Sequence, residues 1–355
     1  MTLLYGLVFL IVELIRMMNK QMTQHTTIAD VAKAAGVSAT TVSRIINGRY
    51  DKMRPATRKR VEKAIKDLHF VPTASARQLR QTHSHVVGIL VGDISNPFSS
   101  LLAKGIDDVL QQAGYDILLM NTNNSRENES RALQRLYQQR VDGIIVQPNS
   151  RHFSQFAPAI HNDIPLVIVD REVDDQPSTV GKVTSANRDA CYNLGKILYQ
   201  NGYQNILTVS AHFAEASGQI PRIAGLKVAA ADNGLSYHNI ETRGHDRQWL
   251  AKTFLQQLNE LKGKTSVVSL MGPILFDLLA IFKELNLSFP DDLGLVSFDD
   301  WEWSQYVANG IFLLKQDMEL MGSLAANKLL TQINQQSTIS STTLLPVEII
   351  AHQSL

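Results

Sequence analysis

A chain of 355 residues with a single cysteine, Cys191, has no partner for an internal disulfide and too few thiols for a zinc cluster, which fits a reducing cytoplasm. Its ten histidines show no close ligand spacing apart from His83 and His85, which fall in a polar stretch, so no metal site and no cofactor is expected. The Gly-x-Gly-x-x-Gly dinucleotide loop, the P-loop and the Gly-x-Ser-x-Gly elbow are all missing, and Cys191 sits in a helical pattern where a small buried residue belongs. No catalytic residue is assigned, and the chain is not read as an enzyme. A long apolar run is missing too. Residues 3–15 are nearly all apolar, but these 13 residues contain Glu13, fall short of the roughly 20 that a spanning helix needs, and carry neither a basic leader nor a cleavage site. Residues 1–24 are read as an extension outside the fold, disordered or produced by an upstream start choice with Met17, Met18 or Met22 as the working start; a membrane or interaction role is the weaker alternative.

The net charge of +1 hides a division along the chain. Residues 25–80 hold twelve Lys and Arg against four acids, a net +8, which leaves the remainder of the chain acidic. A basic module joined to an acidic body is the footprint of a polyanion binder with a regulatory domain. The length is too great for one compact core and fits a small module followed by one or two α/β lobes.

Residues 27–70 read as short helices, and Val71-Pro72 breaks them and opens a polar joining segment to His85. Beyond it, apolar runs with strand character fall at 86–91, 117–120, 143–146, 166–169, 206–209, 267–270 and 293–298, with helical spacing between them. Such alternation predicts parallel sheets with right-handed crossovers, and ligands bind such sheets at the carboxyl ends of the strands. The corresponding loops are 92–98, 121–125, 147–150, 170–172, 210–218, 271–273 and 299–303.

Thr27 with Asp30 forms a capping-box pattern that starts a helix. Ala32, Gly36 and Val42 follow with helix-turn-helix spacing: a small residue where two helices cross, a glycine where φ turns positive, and an apolar residue returning the second helix to the core. Ser38 is placed to cap the second helix, which sets Ala39, Thr40, Thr41, Ser43 and Arg44 in its first two turns, where a recognition helix meets base edges. Arg44 can bridge a guanine in bidentate fashion, and Ala39 offers a methyl to thymine.

The run TIADVAKAAGVSATTVSRIING at 27–48 resembles the N-terminal signature of the LacI/GalR repressors. The likeness continues through residues 57–61, 70–72 and 74–79 and takes in SNPF at 95–98, Asp170-Arg171, RIAG at 222–225, SFDD at 297–300 and LKQ at 314–316. It implies three parts: a helix-turn-helix domain at 25–71, a hinge helix and linker at 72–85, and a core at 86–355 of two lobes like a periplasmic binding protein, parallel sheets flanked by helices. The first lobe is expected at about 86–184 and 316–336, the second at about 185–315 and 337–355. By the same resemblance Asn47 and Arg77 join the DNA contacts, and Leu79 enters the minor groove to kink the duplex; the loop at 49–54 departs from the family in being basic, and its Lys52 and Arg54 are expected to touch phosphates. The partners implied are a near-palindromic operator, a second copy of the chain and a small effector, a sugar or sugar acid, with no membrane role; the setting is the cytoplasm, on the nucleoid. The alternative, an exported sugar receptor with an apolar leader, would lack residues 26–80.

The resemblance places Phe98, Asp170, Arg171 and Arg222 around the effector. Each has a plain alternative: Phe98 as core, Asp170 as a strand-end cap, Arg222 as a surface charge. Two departures stand out. The Asn-Asp pair usual after the strand ending at Leu270 is here Met271-Gly272, and a usually aromatic site falls at or beside Asp246. Trp301 or Trp303 could supply the missing stacking surface.

Overall fold

The computed structural model describes residues 26–46, 48–50, 53–71, 83–211, 216–299, 302–334 and 342–355. The chain divides into two compact units, 1–83 and 84–355.

The first unit contains α1 (Ile28–Ala35), α2 (Ala39–Ile46) and α3 (Pro55–Asp67). Thr27 opens α1 with a complete capping box: the Asp30 amide donates to its Oγ1, and its own amide donates to the Asp30 carboxylate at 2.8 Å. Gly36 ends the helix at φ 61°, a conformation that costs a side chain energy and costs glycine little. The Ser38 hydroxyl accepts from the Thr41 amide, which starts α2 after a two-residue turn. Pro55 begins α3 at a position where a missing N–H is harmless. Val31, Ala32, Val42, Ile45, Val61 and Phe70 close the small core between the three helices.

The second unit is built on two six-stranded sheets. In the first, β1 (Val86–Val91), β2 (Asp116–Asn121), β3 (Gly143–Val146), β4 (Leu166–Val169), β5 (Gly181–Ser185) and β11 (Thr342–Leu345) lie in the order β11-β5-β4-β3-β1-β2, all parallel. In the second, β6 (Asn205–Ser210), β7 (Ser236–Glu241), β8 (Thr265–Ser269), β9 (Gly294–Phe298), β10 (Phe312–Lys315) and β12 (Glu348–Ile350) lie in the order β12-β10-β9-β8-β6-β7, with only β12 antiparallel to its neighbour. The central strands are fully buried apolar runs, as strands covered on both faces must be.

Helices cover both faces of each sheet. Over the first sheet, α4 (Pro97–Gln112) and α11 (Met318–Ile333) close one core, and α5 (Arg126–Gln139) with α6 (Ala157–His161) closes the other. Over the second, α7 (Asn187–Gln200) and α8 (Gln219–Asn233) lie on one side, α9 (Arg247–Glu260) and α10 (Gly272–Glu284) on the other. The α4–α11 crossing is so close that a Cβ at Gly105 would strike the Glu319 carbonyl, and one at Gly322 the Leu102 carbonyl. Cys191 lies inside the α7–α8 core, where burial pushes its thiol up to about 12, an unreactive setting.

The chain crosses between the sheets three times: after β5, after β10 and after β11. The third crossing corrects the sequence reading, which gave all of 337–355 to the second lobe: Thr342–Leu345 pairs with β5 in the first sheet, and only β12 belongs to the second. An edge strand of four residues ending one lobe and a three-residue strand beginning the other leave no composition change to mark the boundary. Among the described residues no helix is long and apolar enough to cross a membrane, and no group of His, Cys, Asp and Glu could hold a metal ion.

Candidate functional site

In the first unit α2 buries Val42 and Ile45 and turns Ala39, Thr40 and Arg44 outward, with Thr41 and Ser43 half-buried beside them. Ser38 and Thr27 serve as helix caps. Arg54 is exposed at the N-cap of α3, and its carbonyl accepts from the Thr57 and Arg58 amides. Arg58 is held by Glu62 at 2.6 Å and lies 4.0 Å over the Tyr50 ring. Asn47, Lys52, Arg77 and Leu79 lie outside the described residues.

In the second unit the loops after the parallel strands meet over a cleft of about 690 Å³ with an inner recess of about 70 Å³. Phe98, Asp170, Arg171 and Arg222 all line the recess. Phe98 is only 6% exposed and also belongs to the first-sheet core, so it packs and faces the recess at once. Asp170 follows β4 with φ 65°; its amide donates to Val183, and its carboxylate accepts from Gln147 Nε2 at 2.8 Å. Arg171 donates to Asn149 Oδ1 at 2.8 Å, to Asn124 Oδ1 at 2.9 Å and to the Pro148 carbonyl.

Arg222 is 4% exposed and no surface charge. It donates from Nε to Asn187 Oδ1 at 3.0 Å and from Nη1 to the Leu270 carbonyl, and its guanidinium lies 3.7 Å over the Phe298 ring. Burial lowers the pKa of both arginines, and the nearby carboxylates oppose that shift: Asp299 and Asp170 at Arg222, Asp170 and Glu129 at Arg171.

Two carboxylates absent from the sequence reading of the site support this arrangement. Asp299, at the end of β9, accepts from the amide and side chain of Gln316, both at 2.9 Å, and burial raises its pKa. Glu129, fully buried on α5, accepts from the Asn149 and Ser150 amides and is likewise raised by burial. Glu129 thus fixes the loop that holds Arg171. A larger groove of about 1010 Å³ lies at the crossings, lined by Pro97, Leu101, Met318 and Leu345. Volume does not select the site; the Arg171 and Arg222 guanidiniums with Asp170 do, and they line the recess.

Asp246 does not line either part of the cleft. It caps α9, accepting from the Trp249 amide at 2.9 Å, while His245 stacks on Trp249. Met271 and Gly272, at the start of α10, do line the recess and bring no charge to it. Trp301 lies outside the described residues; Trp303 lines the cleft, stacked on Phe276 with centroids 4.7 Å apart.

Comparison with known proteins decides the family. Residues 27–73 match the model of bacterial regulatory proteins of the lacI family, and residues 84–258 match that of periplasmic binding proteins and the sugar binding domain of the LacI family. The HTH-type transcriptional regulator KdgR of Bacillus subtilis is 32% identical over 345 residues, covering 95% of this chain and 100% of that protein. The chain belongs to the LacI family. It is a helix-turn-helix transcription regulator of that family. The HTH-type transcriptional regulator PtxS of Pseudomonas putida is 30% identical over 314 residues, 88% of this chain and 91% of that one. The lac repressor dimer bound to operator and an anti-inducer shares the fold, with a TM-score of 0.77 at 23% identity over 93% of this chain and 99% of that one.

Proposed function

We propose that this LacI-family regulator represses a carbohydrate-utilisation operon in the cytoplasm, binding a near-palindromic operator as a homodimer and responding to a sugar or sugar acid held between its lobes. The observation that carries the reading is the convergence of Arg171 from the first lobe and Arg222 from the second on one buried recess. The two guanidiniums can hold a ligand carboxylate, and Asp170, Asp299 and the polar side chains around them suit hydroxyls. On this reading Ala39, Thr40 and Arg44 read base edges; Thr27, Ser38, Thr41, Ser43, Asn47, Lys52, Arg54 and Arg77 position the module; and Leu79 enters the minor groove.

Control follows from differential affinity. A ligand that bridges the lobes stabilises one relative orientation of the two sheets, and through the crossings it sets the spacing of the segments that lead to the DNA-binding units. A ligand that binds one state about 100-fold better than the other supplies about 2.7 kcal/mol of coupling. Thermal unfolding of the purified chain against sugars, sugar phosphates and sugar acids tests the effector class. A sugar or sugar acid raises the midpoint on this reading; a rise with sugar phosphates alone, or with none of them, contradicts it.

A further inference from the structure

We propose that Trp303, backed by Phe276, is the specificity-determining platform of the second lobe and selects ring-closed sugar acids. The proposal rests on the cleft being the effector site. Both rings line the cleft, stacked with their planes 23° apart. Phe276 is 52% exposed on a helix whose opposite face buries Ile274, Leu278, Ile281 and Phe282, so its ring is turned out of the core.

The two walls differ in kind. The first lobe presents Asp93, Ser95, Asn96, Asn124, Asn149 and Arg171; the second presents Ala211, Ala216, Met271, Pro273, Phe276 and Trp303, with Ser217 and Gln219 as its polar members. A molecule that satisfies both has a charged, hydroxylated edge and a flat patch of C–H. A pyranose ring bearing a carboxylate has both. An open-chain aldonic acid has the charge without a fixed C–H face, and a neutral pyranose has the face without the charge. The position beside Asp246, usually aromatic in the family, is a helix cap here, which leaves Phe98, Phe276 and Trp303 as the aromatic side chains at the cleft and recess among the described residues.

The chain has three tryptophans, so Trp249→Phe with Trp301→Phe leaves Trp303 as the sole indole. That full-length variant is titrated with D-galacturonate, D-galactonate and D-galactose, reading indole emission and calorimetric affinity. D-Galacturonate is expected to bind tightest and to change the emission. Trp303→Leu should weaken it about tenfold, and Phe276→Leu or Trp303→Phe, which keep part of the platform, about threefold. Galacturonate affinity within twofold of the parent in Trp303→Leu and Phe276→Leu overturns the platform while leaving the effector cleft standing. Tighter binding of D-galactonate or D-galactose overturns the ring-closed acid assignment. Failure of all three probes to bind overturns this proposal and leaves the effector class to the thermal panel above.

Discussion

The helix-turn-helix unit and the core put the side chains proposed for DNA and effector in opposite settings. In the first unit the apolar residues are spent on a core of three short helices, and Ala39, Thr40 and Arg44 stand exposed on α2. In the core, Arg171, Arg222, Asp170 and Asp299 line a recess where burial opposes the charges of Arg171, Arg222 and Asp299 and hydrogen bonds hold all four side chains. The difference separates function from stability in one unit and joins them in the other. An exposed reader can be removed without disturbing the fold, whereas a buried guanidinium cannot leave without stranding its carboxylate neighbours.

The largest effect that would sharpen this contrast is at Arg222. Arg222→Ala should lower core stability by about 3 kcal/mol, because Asp299 and Asp170 lose their opposing charge, and should also abolish the ligand response. Denaturant unfolding monitored on the core reads the first effect; an undiminished midpoint would place Arg222 outside the buried charge network. Arg44→Ala should leave unfolding unchanged and cost about 1–3 kcal/mol of operator affinity, with preference relaxed at one base pair per half-site. Equal losses on operator and random DNA would break the contrast from the other side.

Asp246→Ala should destabilise the chain by about 1 kcal/mol through loss of the α9 cap and leave ligand affinity unchanged. Weakened ligand binding without destabilisation would return Asp246 to the site. The smallest effect is a pH dependence. Burial holds the Asp299 carboxyl above the ordinary aspartate value of 3.8, so its protonated form is favoured in the folded chain. Relative to Asp299→Asn, the wild type should lose stability as pH rises from about that value through the folded pKa, and the difference should be independent of pH below it. Paired unfolding curves from pH 3 upward check the sign; a wild type that gains stability over this window contradicts it.

The first unit was legible because its signals are local: Thr27 with Asp30, Gly36 and Ser38 act within a turn or two of where they stand in sequence. The seven strands rich in Val, Ile and Leu were legible for the same reason. Five more, GKVTS at β5, SYHNIE at the half-exposed β7 edge, the short FLLK of β10, TTLL of β11 and EII of β12, carry too few consecutive apolar residues or too much polarity to announce a strand. The recess is less legible, because its parts meet only in three dimensions. Arg222 with Asn187 and Leu270, or Glu129 with Asn149 and Ser150, are pairings no spacing rule provides. Asp246 shows the converse hazard: a position marked by resemblance is a cap here, because an aspartate before α9 accepts from the Trp249 amide.

The claim that joins the two units is that the cleft and the operator interface are energetically coupled, and coupling must be reciprocal. The most direct measurement takes the sugar acid that most raises the unfolding midpoint. Its affinity is determined for the free chain and for the chain saturated with operator, beside operator affinity with and without it in the same buffer. The two ratios should agree and should exceed tenfold. Equal ligand affinities for free and operator-bound chain would contradict the account.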